Sequence, residues 1–288
     1  MKKPKRASEH ILTLSCPDRR GIVSAVSGVL ADSDCNILDS AQFNDVATGV
    51  FYMRVHFADE SGDEGEQLPS RLSELAGAFG MQLRLRDARY KPRVLLMVSK
   101  IGHCLNDLLY RHSSGLIHAD VRAVVSNHED FAKLVQSHGI DFHYLPVCAD
   151  NRAAQEQRLL QLVDDQRIDL VVLARYMQVL SPELCRALSG RAINIHHSFL
   201  PSFKGAQPYA QAHARGVKLI GATAHFVTDA LDEGPIIEQD VIRVDHALSV
   251  REFTAMGRDV ESAVLARAVN WFLQHRILLN GDKTVIFR

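Results

Sequence analysis

The sequence lacks any apolar run approaching the ~20 residues needed to span a bilayer, so neither a membrane span nor a membrane partner is expected. It also lacks paired cysteines. Cys16, Cys35, Cys104, Cys148 and Cys185 are odd in number, scattered and without a CxxC pair. That spacing argues against a disulfide framework or a zinc site and points to reduced thiols in a cytoplasm. No charge excess exists: 33 Lys and Arg against 34 Asp and Glu leave a formal net charge of -1. A general nucleic-acid binder needs a basic surface to neutralise phosphates, so no nucleic-acid partner is expected. The basic opening MKKPKRASEH is not followed by an apolar stretch and reads as a solvated tail, not a signal peptide. Internal repeats and low-complexity blocks are missing too. The composition, 47% hydrophobic and 23% charged over 288 residues, suits two globular domains with real cores.

The first 87 residues alternate strand and helix signals. Ile11–Ser15 reads as a strand, Pro17 and Gly21 break it, and Ile22, Val26, Val29 and Leu30 recur at helical spacing over Gly21–Asp32. Asn36–Phe43 and Val50–Phe57 read as strands, the acidic Asp59–Glu66 as a loop. Leu68, Leu72 and Leu75 form a helical stripe, and Met81–Leu85 a last strand. The order is β-α-β-β-α-β, a ferredoxin-like arrangement.

The stretch DRRGIVSAVSGVLADSDCNILDSAQF resembles an ACT domain, the small amino-acid-sensing module of many metabolic enzymes. The resemblance implies a regulatory or oligomerising role for residues 1–87 and a homo-oligomer. It implies an effector site at Asp18, Arg19, Gly21 and Ile22, where helix N-terminal amides suit a carboxylate. Glycine or methionine would be the effector. The alternative is that Gly21 only permits the turn and Ile22 is core.

Residues 88–92 form a polar, Pro-ended linker, and the pattern then changes. Val94–Val98, Asp120–Ser126, Phe142–Val147 and Asp169–Leu173 read as strands, separated by helices that include Glu129–His138 and Arg152–Gln166. Phe253–Gln274 reads as a long helix, and Asn280-Gly281 as a hairpin turn. Residues 93–288 are therefore expected to form a Rossmann-like, mostly parallel α/β domain, with ligands at the carboxyl ends of its strands.

The densest polar cluster is Asn194-Ile195-His196-His197-Ser198. Alternation sends Asn194 and His196 to one face and His197 to the other. An amide that donates to an oxyanion, beside an imidazole tuned for proton transfer, makes an acyl-transfer site. A second cluster, Thr223 to Pro235, carries Asp229 and Asp232 in a loop able to return over His196. Taken singly, each residue has a structural explanation; together they form an orient, transfer and stabilise set. A metal reading of His196, His197, His225 and Asp232 competes poorly, because adjacent strand histidines point apart and no helical HxxxH occurs.

INIHHSFLPSFKGAQPYAQAHARGVKLIGATAHFVTDALDEGPII and VVLARYMQVLSP resemble the folate-dependent formyltransferases, which include glycinamide ribonucleotide transformylase. Carried over residue by residue, the resemblance makes Asn194, His196 and Asp232 catalytic. It places the folate's pterin on Met177, Val179, Leu180 and the Val227–Asp232 loop with Thr228 and Asp229. No metal and no cofactor beyond the folate substrate are implied. Three departures favour water over an amine as acceptor. Ser99–Asn106 carries one glycine, Gly102, where a phosphate-wrapping loop needs several; His196-His197 replaces the usual His-Pro; and an ACT-like domain precedes the catalytic one. All three resemble the hydrolytic members of the family. Hydrolysis of 10-formyltetrahydrofolate to formate, supplying purine synthesis, is the expectation. Asn194 and His196 would donate to the formyl oxygen, while Asp232 would bind the water, take its proton directly or through a chain, and favour a protonated His196. Transfer to a small amine, with an acceptor pocket around Ser99–Asn106 and Lys204–Tyr209, is the alternative.

Overall fold

A computed structural model describes residues 8–60, 67–201 and 208–288 of the chain. The basic opening segment, most of the Asp59–Glu66 loop and Lys204–Gln207 lie outside the described residues. The chain divides into two units. One runs to Tyr90 and takes in His275–Leu278 and Val285–Arg288; the other comprises Lys91–Gln274 and Leu279–Thr284.

In the first unit, β1 (Ser8–Pro17), α1 (Ile22–Ala31), β2 (Cys35–Asp45), β3 (Val50–Asp59), α2 (Leu68–Phe79) and β4 (Gln82–Asp87) follow the expected order. The strands pair antiparallel in the order β2-β3-β1-β4. Period-two alternation turns Leu12, Leu14, Val55 and Phe57 to one face, where Val26 and Leu30 of α1 and Leu72 of α2 seal them from water. Gly21 makes the turn into α1 with a left-handed φ of 91°, a conformation that strains any side chain. On the other face, Tyr52 packs with Val285 and Phe287, so residues from the end of the chain cover part of this sheet.

In the second unit, the strands are β5 (Arg93–Val98), β6 (Asp120–Ser126), β7 (Asp141–Tyr144), β8 (Leu170–Leu173), β9 (Ala192–His196), β10 (Leu219–Phe226) and β11 (Ile236–Arg243). Their order is β11-β10-β9-β8-β5-β6-β7. The five strands β5 to β9 are parallel, while β10 and β11 add antiparallel at one edge. The helices are α3 (His103–Ser113), α4 (Ala132–Ser137), α5 (Arg152–Asp165), α6 (Pro182–Ala187), α7 (Pro208–Ala214) and α8 (Val250–Leu273). None of them is long and apolar enough to cross a membrane. Central strands buried on both faces must be apolar throughout, and Val94–Val98 and Leu170–Leu173 are.

From β5 the chain winds outward through β6 and β7, then returns to the opposite side for β8 and β9. The loops after β5 and β8 therefore part at a switch point, which opens a crevice at the strands' carboxyl ends. Ser99 ties the two loops together. Its amide donates to the Arg175 carbonyl (3.1 Å), its Oγ accepts from the Met177 amide (2.9 Å), and its hydroxyl donates to Asn127 Oδ1 (2.7 Å).

Four boundaries differ from expectation. The strand expected over Phe142–Val147 stops at Tyr144, because Pro146 has no N–H for the ladder. The helix expected over Glu129–His138 is only Ala132–Ser137, its start taken by a turn from Ala132 N to Glu129 O (3.0 Å). The terminal hairpin of β12 (Ile277–Asn280) and β13 (Lys283–Ile286) turns one residue later than Asn280-Gly281, with Gly281 taking φ 57°. Helix α8 starts at Val250, ahead of the expected Phe253. Ser249 and Glu252 form a capping box there that satisfies the first backbone donors.

Candidate active site

Asn194 and His196 sit two apart on β9 and, as alternation requires, share one side of the sheet. Both line a cavity of about 670 Å³ at the switch point. His225 of β10 pairs in register with Asn194, and its Nε2 lies 3.2 Å from Asn194 Nδ2. His225 Nδ1 lies 2.8 Å from the Phe226 carbonyl, which can only accept, so Nδ1 carries the proton. In the neutral ring Nε2 is then an acceptor, and the Asn194 amide donates to it.

The loop after β10 returns Asp232 to the same place. Phe226 N donates to the Pro235 carbonyl (2.9 Å), closing the loop at its base. Gly234 permits this closure, because a side chain there would run into the Phe226 backbone carbonyl. Asp232 holds a left-handed φ of 58°. Its Oδ2 lies 3.2 Å from His196 Nδ1 and its Oδ1 3.7 Å from His225 Nε2. The hydrogen bond from His196, working against partial burial, holds the Asp232 carboxyl far below the usual carboxylate range. Asp232 is therefore ionised, which leaves His196 Nδ1 as a donor. His196 Nε2 is buried, has no partner among the described residues, and belongs to a ring that lines the cavity. Asp229 lines the cavity as well, but the carboxylate that meets His196 is that of Asp232.

Met177, Val179, Leu180, Val227, Thr228 and Asp229 all line this cavity. Met177 and Val179 are more than half exposed, a costly position for apolar side chains unless a ligand covers them. His197 also lines the cavity, because the strand ends at His196 and the alternation ends with it. Burial first, then the nearby Arg175 and His196, push the His197 imidazole down to about 4, so it is neutral at pH 7.

Gly102 has a packing role. A side chain at that position would collide with the ring of Phe131. The loop after β5 thus uses its one glycine to seat an aromatic ring.

Glu261 and Arg175, which the sequence reading passed over, also line the cavity, together with His103 and Tyr209 from the two segments named for the alternative acceptor pocket. Glu261 of α8, 1% exposed, meets Tyr209 Oη (2.5 Å), His103 Nε2 (2.8 Å) and Arg175 Nε (3.4 Å). Burial works to raise the Glu261 carboxyl, but His103, Arg175 and Tyr209 together hold it below its usual range. Tyr209 is pushed well above the usual phenol range by burial and the adjacent carboxylate, so its hydroxyl stays protonated and donates. His225 had been weighed only as a metal ligand. Among the described residues, His103, Cys104 and Glu261 are the group whose ligand atoms come close enough to share an ion, within 4.8 Å of one another.

In the first unit, the suggested effector residues divide. The Asp18 carboxylate accepts from Asn44 Nδ2 (2.8 Å), and Arg19 donates to the Ala78 carbonyl (2.5 Å) while its guanidinium lies over the Phe79 ring. Ile22 belongs to the core.

Comparison with known proteins adds a separate line of observation. The formyl transferase family matches residues 92–269, and the ACT domain family matches residues 10–66. A formyltetrahydrofolate deformylase of Corynebacterium sp. is 49% identical over 97% of this chain and 98% of its own length. The Bacillus subtilis protein of that name is 45% identical over 96% of this chain and 93% of its own. The crystal structure of a formyltetrahydrofolate deformylase from Burkholderia mallei superposes with a TM-score of 0.94 at 50% identity, covering 98% of this chain and 100% of that one. Glycinamide ribonucleotide transformylase 1 from Symbiobacterium toebii gives 0.64 at 28% identity, covering 69% of this chain and 95% of its own.

Proposed function

Because the chain belongs to the formyltetrahydrofolate deformylase family, we infer that it is a hydrolase that cleaves 10-formyltetrahydrofolate to formate and tetrahydrofolate. The pterin lies against Met177, Val179, Leu180 and the Val227–Asp229 segment, with its amide edge read by loop backbone groups. That puts the formyl group beside Asn194 and His196.

The observation that carries the mechanism is the pairing at His196: Nδ1 held by an ionised Asp232, Nε2 buried at the cavity and unpartnered among the described residues. A carboxylate with so low a proton affinity is a poor base for water. The proton therefore goes to His196 Nε2, and Asp232 stabilises the imidazolium that forms. Water's oxygen bonds to the formyl carbon as its proton passes to Nε2. The carbonyl oxygen becomes an oxyanion, which the Asn194 amide stabilises by donating a hydrogen bond. Collapse breaks the bond from carbon to N10, and the His196 proton passes to N10. Formic acid loses its remaining proton to solvent, and formate and tetrahydrofolate leave. This assigns the proton to His196 where the sequence alone pointed to Asp232. His225, locked by the Phe226 carbonyl, orients Asn194 by accepting from its amide.

The remaining roles follow the same reading. Residues 1–87 regulate or oligomerise the enzyme, residues 88–92 link, and residues 93–288 catalyse. The active species is a homo-oligomer. The site requires no cofactor, the five free thiols suit a cytoplasmic setting, and the formate released feeds purine synthesis. Glycine or methionine acts at the turn bearing Asp18, Arg19 and Gly21. A rate titration with both amino acids should show a change with one of them; a flat response to each removes the effector.

The deciding experiment is formate release from 10-formyltetrahydrofolate by purified protein with water as sole acceptor. Release is expected, and its absence would overturn the reading.

A further inference from the structure

The cavity that holds Asn194 and His196 is also lined by His103, Arg175, Tyr209 and Glu261, which hydrolysis does not use. Tyr209 donates its hydroxyl to Glu261 Oε1, while His103 and Arg175 meet Oε2. These four side chains come from α7, α3, the loop after β8, and α8. A carboxylate beside a formyl-transfer centre is the natural partner of an amine: it accepts the amine's hydrogens and holds the nitrogen near the formyl carbon. Here both of its oxygens are already engaged.

The place of the Tyr209 ring is built into the helix beneath it. Gly257 lies one turn before Glu261 on α8, and any side chain there would overlap the ring. Glycine is disfavoured in a helix interior, so this notch works against the helix to admit the ring. The ring then stands edge-on to His197 at 6.3 Å, and His197 stands edge-on to His196 at 5.0 Å. Tyr209 is thus one side chain removed from the imidazole that handles the proton.

We propose that Tyr209 determines the choice of acceptor: it occupies the space beside the formyl group and caps Glu261, so that water enters and a primary amine does not. The inference rests on the hydrolase reading above. Without the ring and its hydroxyl, an amine nitrogen can bind at Glu261 and attack the formyl carbon. The bond from carbon to N10 then breaks, and the proton lost by the amine reaches N10 through His196. The products are a formylated amine and tetrahydrofolate.

The test compares the wild-type chain with Tyr209→Ala and Tyr209→Phe, using 10-formyltetrahydrofolate with and without hydroxylamine, a small amine that is largely unprotonated at neutral pH. Formate and formohydroxamate are measured in the same reactions and corrected for the enzyme-free rate. Wild type should release formate and form little hydroxamate. Tyr209→Ala should raise the ratio of hydroxamate to formate by about tenfold or more, the scale on which pocket contacts discriminate between substrates. Tyr209→Phe keeps the ring but uncaps Glu261, and should give a smaller rise. An unchanged ratio in a Tyr209→Ala protein that still binds substrate overturns the proposal. So does wild type forming hydroxamate as readily as Tyr209→Ala. Should Tyr209→Ala fail to fold, Tyr209→Phe decides: a ratio equal to wild type overturns the capping role. Wild type that releases no formate in water alone would refute the hydrolase reading instead, so the two failures are distinct.

Discussion

His197 offers a quantitative check on the electrostatics of the cavity. Burial, Arg175 and His196 lower its imidazole from an ordinary 6.5 to about 4. Above pH 6.5 the ring is neutral in folded and unfolded chains alike. Between 6.5 and 4 the unfolded chain binds a proton that the native chain refuses, so stability falls as pH drops through that window and levels off below it. Each tenfold difference in proton affinity is worth about 1.4 kcal/mol, so the loss is ~2 kcal/mol at pH 5 and approaches ~3 kcal/mol at pH 4. Solvent at the cavity makes these upper values. Replacing the ring by His197→Asn keeps a polar side chain and abolishes the titration. Denaturant unfolding at pH 7 and pH 5 should show the wild type losing up to ~2 kcal/mol more than the variant. In the native protein, the His197 ring carbon signals should stay fixed between pH 8 and pH 5. A variant that loses as much stability as wild type, or a native His197 ring that titrates near 6.5, refutes the argument.

Two other outcomes bear on the catalytic roles. Asn194→Ala removes an oxyanion donor and should lower turnover by about 10²–10³; Asp232→Asn should cost more, because it removes the charge that holds the imidazolium. Single-turnover formate release measures both, and near-wild-type turnover by Asp232→Asn would remove that residue from the mechanism. Exhaustive chelation should leave the rate intact. A chelator-dependent loss restored by zinc would instead point to an ion at His103, Cys104 and Glu261.

The parts of this molecule that could be read from sequence are those encoded by local period. Alternation along the first-unit strands, the Leu68, Leu72 and Leu75 stripe, and the apolar runs of β5 and β8 each report a burial pattern set within one element. Asn194 and His196 were legible for the same reason, since two-residue spacing on a strand suffices to put them together. The Glu261 cluster was not, because its members are spread from His103 to Glu261 and converge only through the fold. On its own helix Glu261 looks like one more charge on a solvated face. His225 was recognisable as polar but not as a partner of Asn194, which depends on the antiparallel register of β10 against β9. The covering of Tyr52 by Val285 and Phe287 likewise joins residues from opposite ends of the chain.

The loop from Val227 to Asp232, pinned at its base by the hydrogen bond from Phe226 to Pro235, carries both the proposed pterin-facing residues and the carboxylate behind His196. Recognition and chemistry are thereby coupled through a short piece of backbone. A change at Thr228 or Asp229 meant to alter substrate preference will also displace Asp232, and a substrate that seats poorly on the loop will meet a misplaced imidazole. Selectivity in this enzyme would then be enforced in the rate of turnover as much as in affinity, and the two could not be tuned separately by changes in this segment.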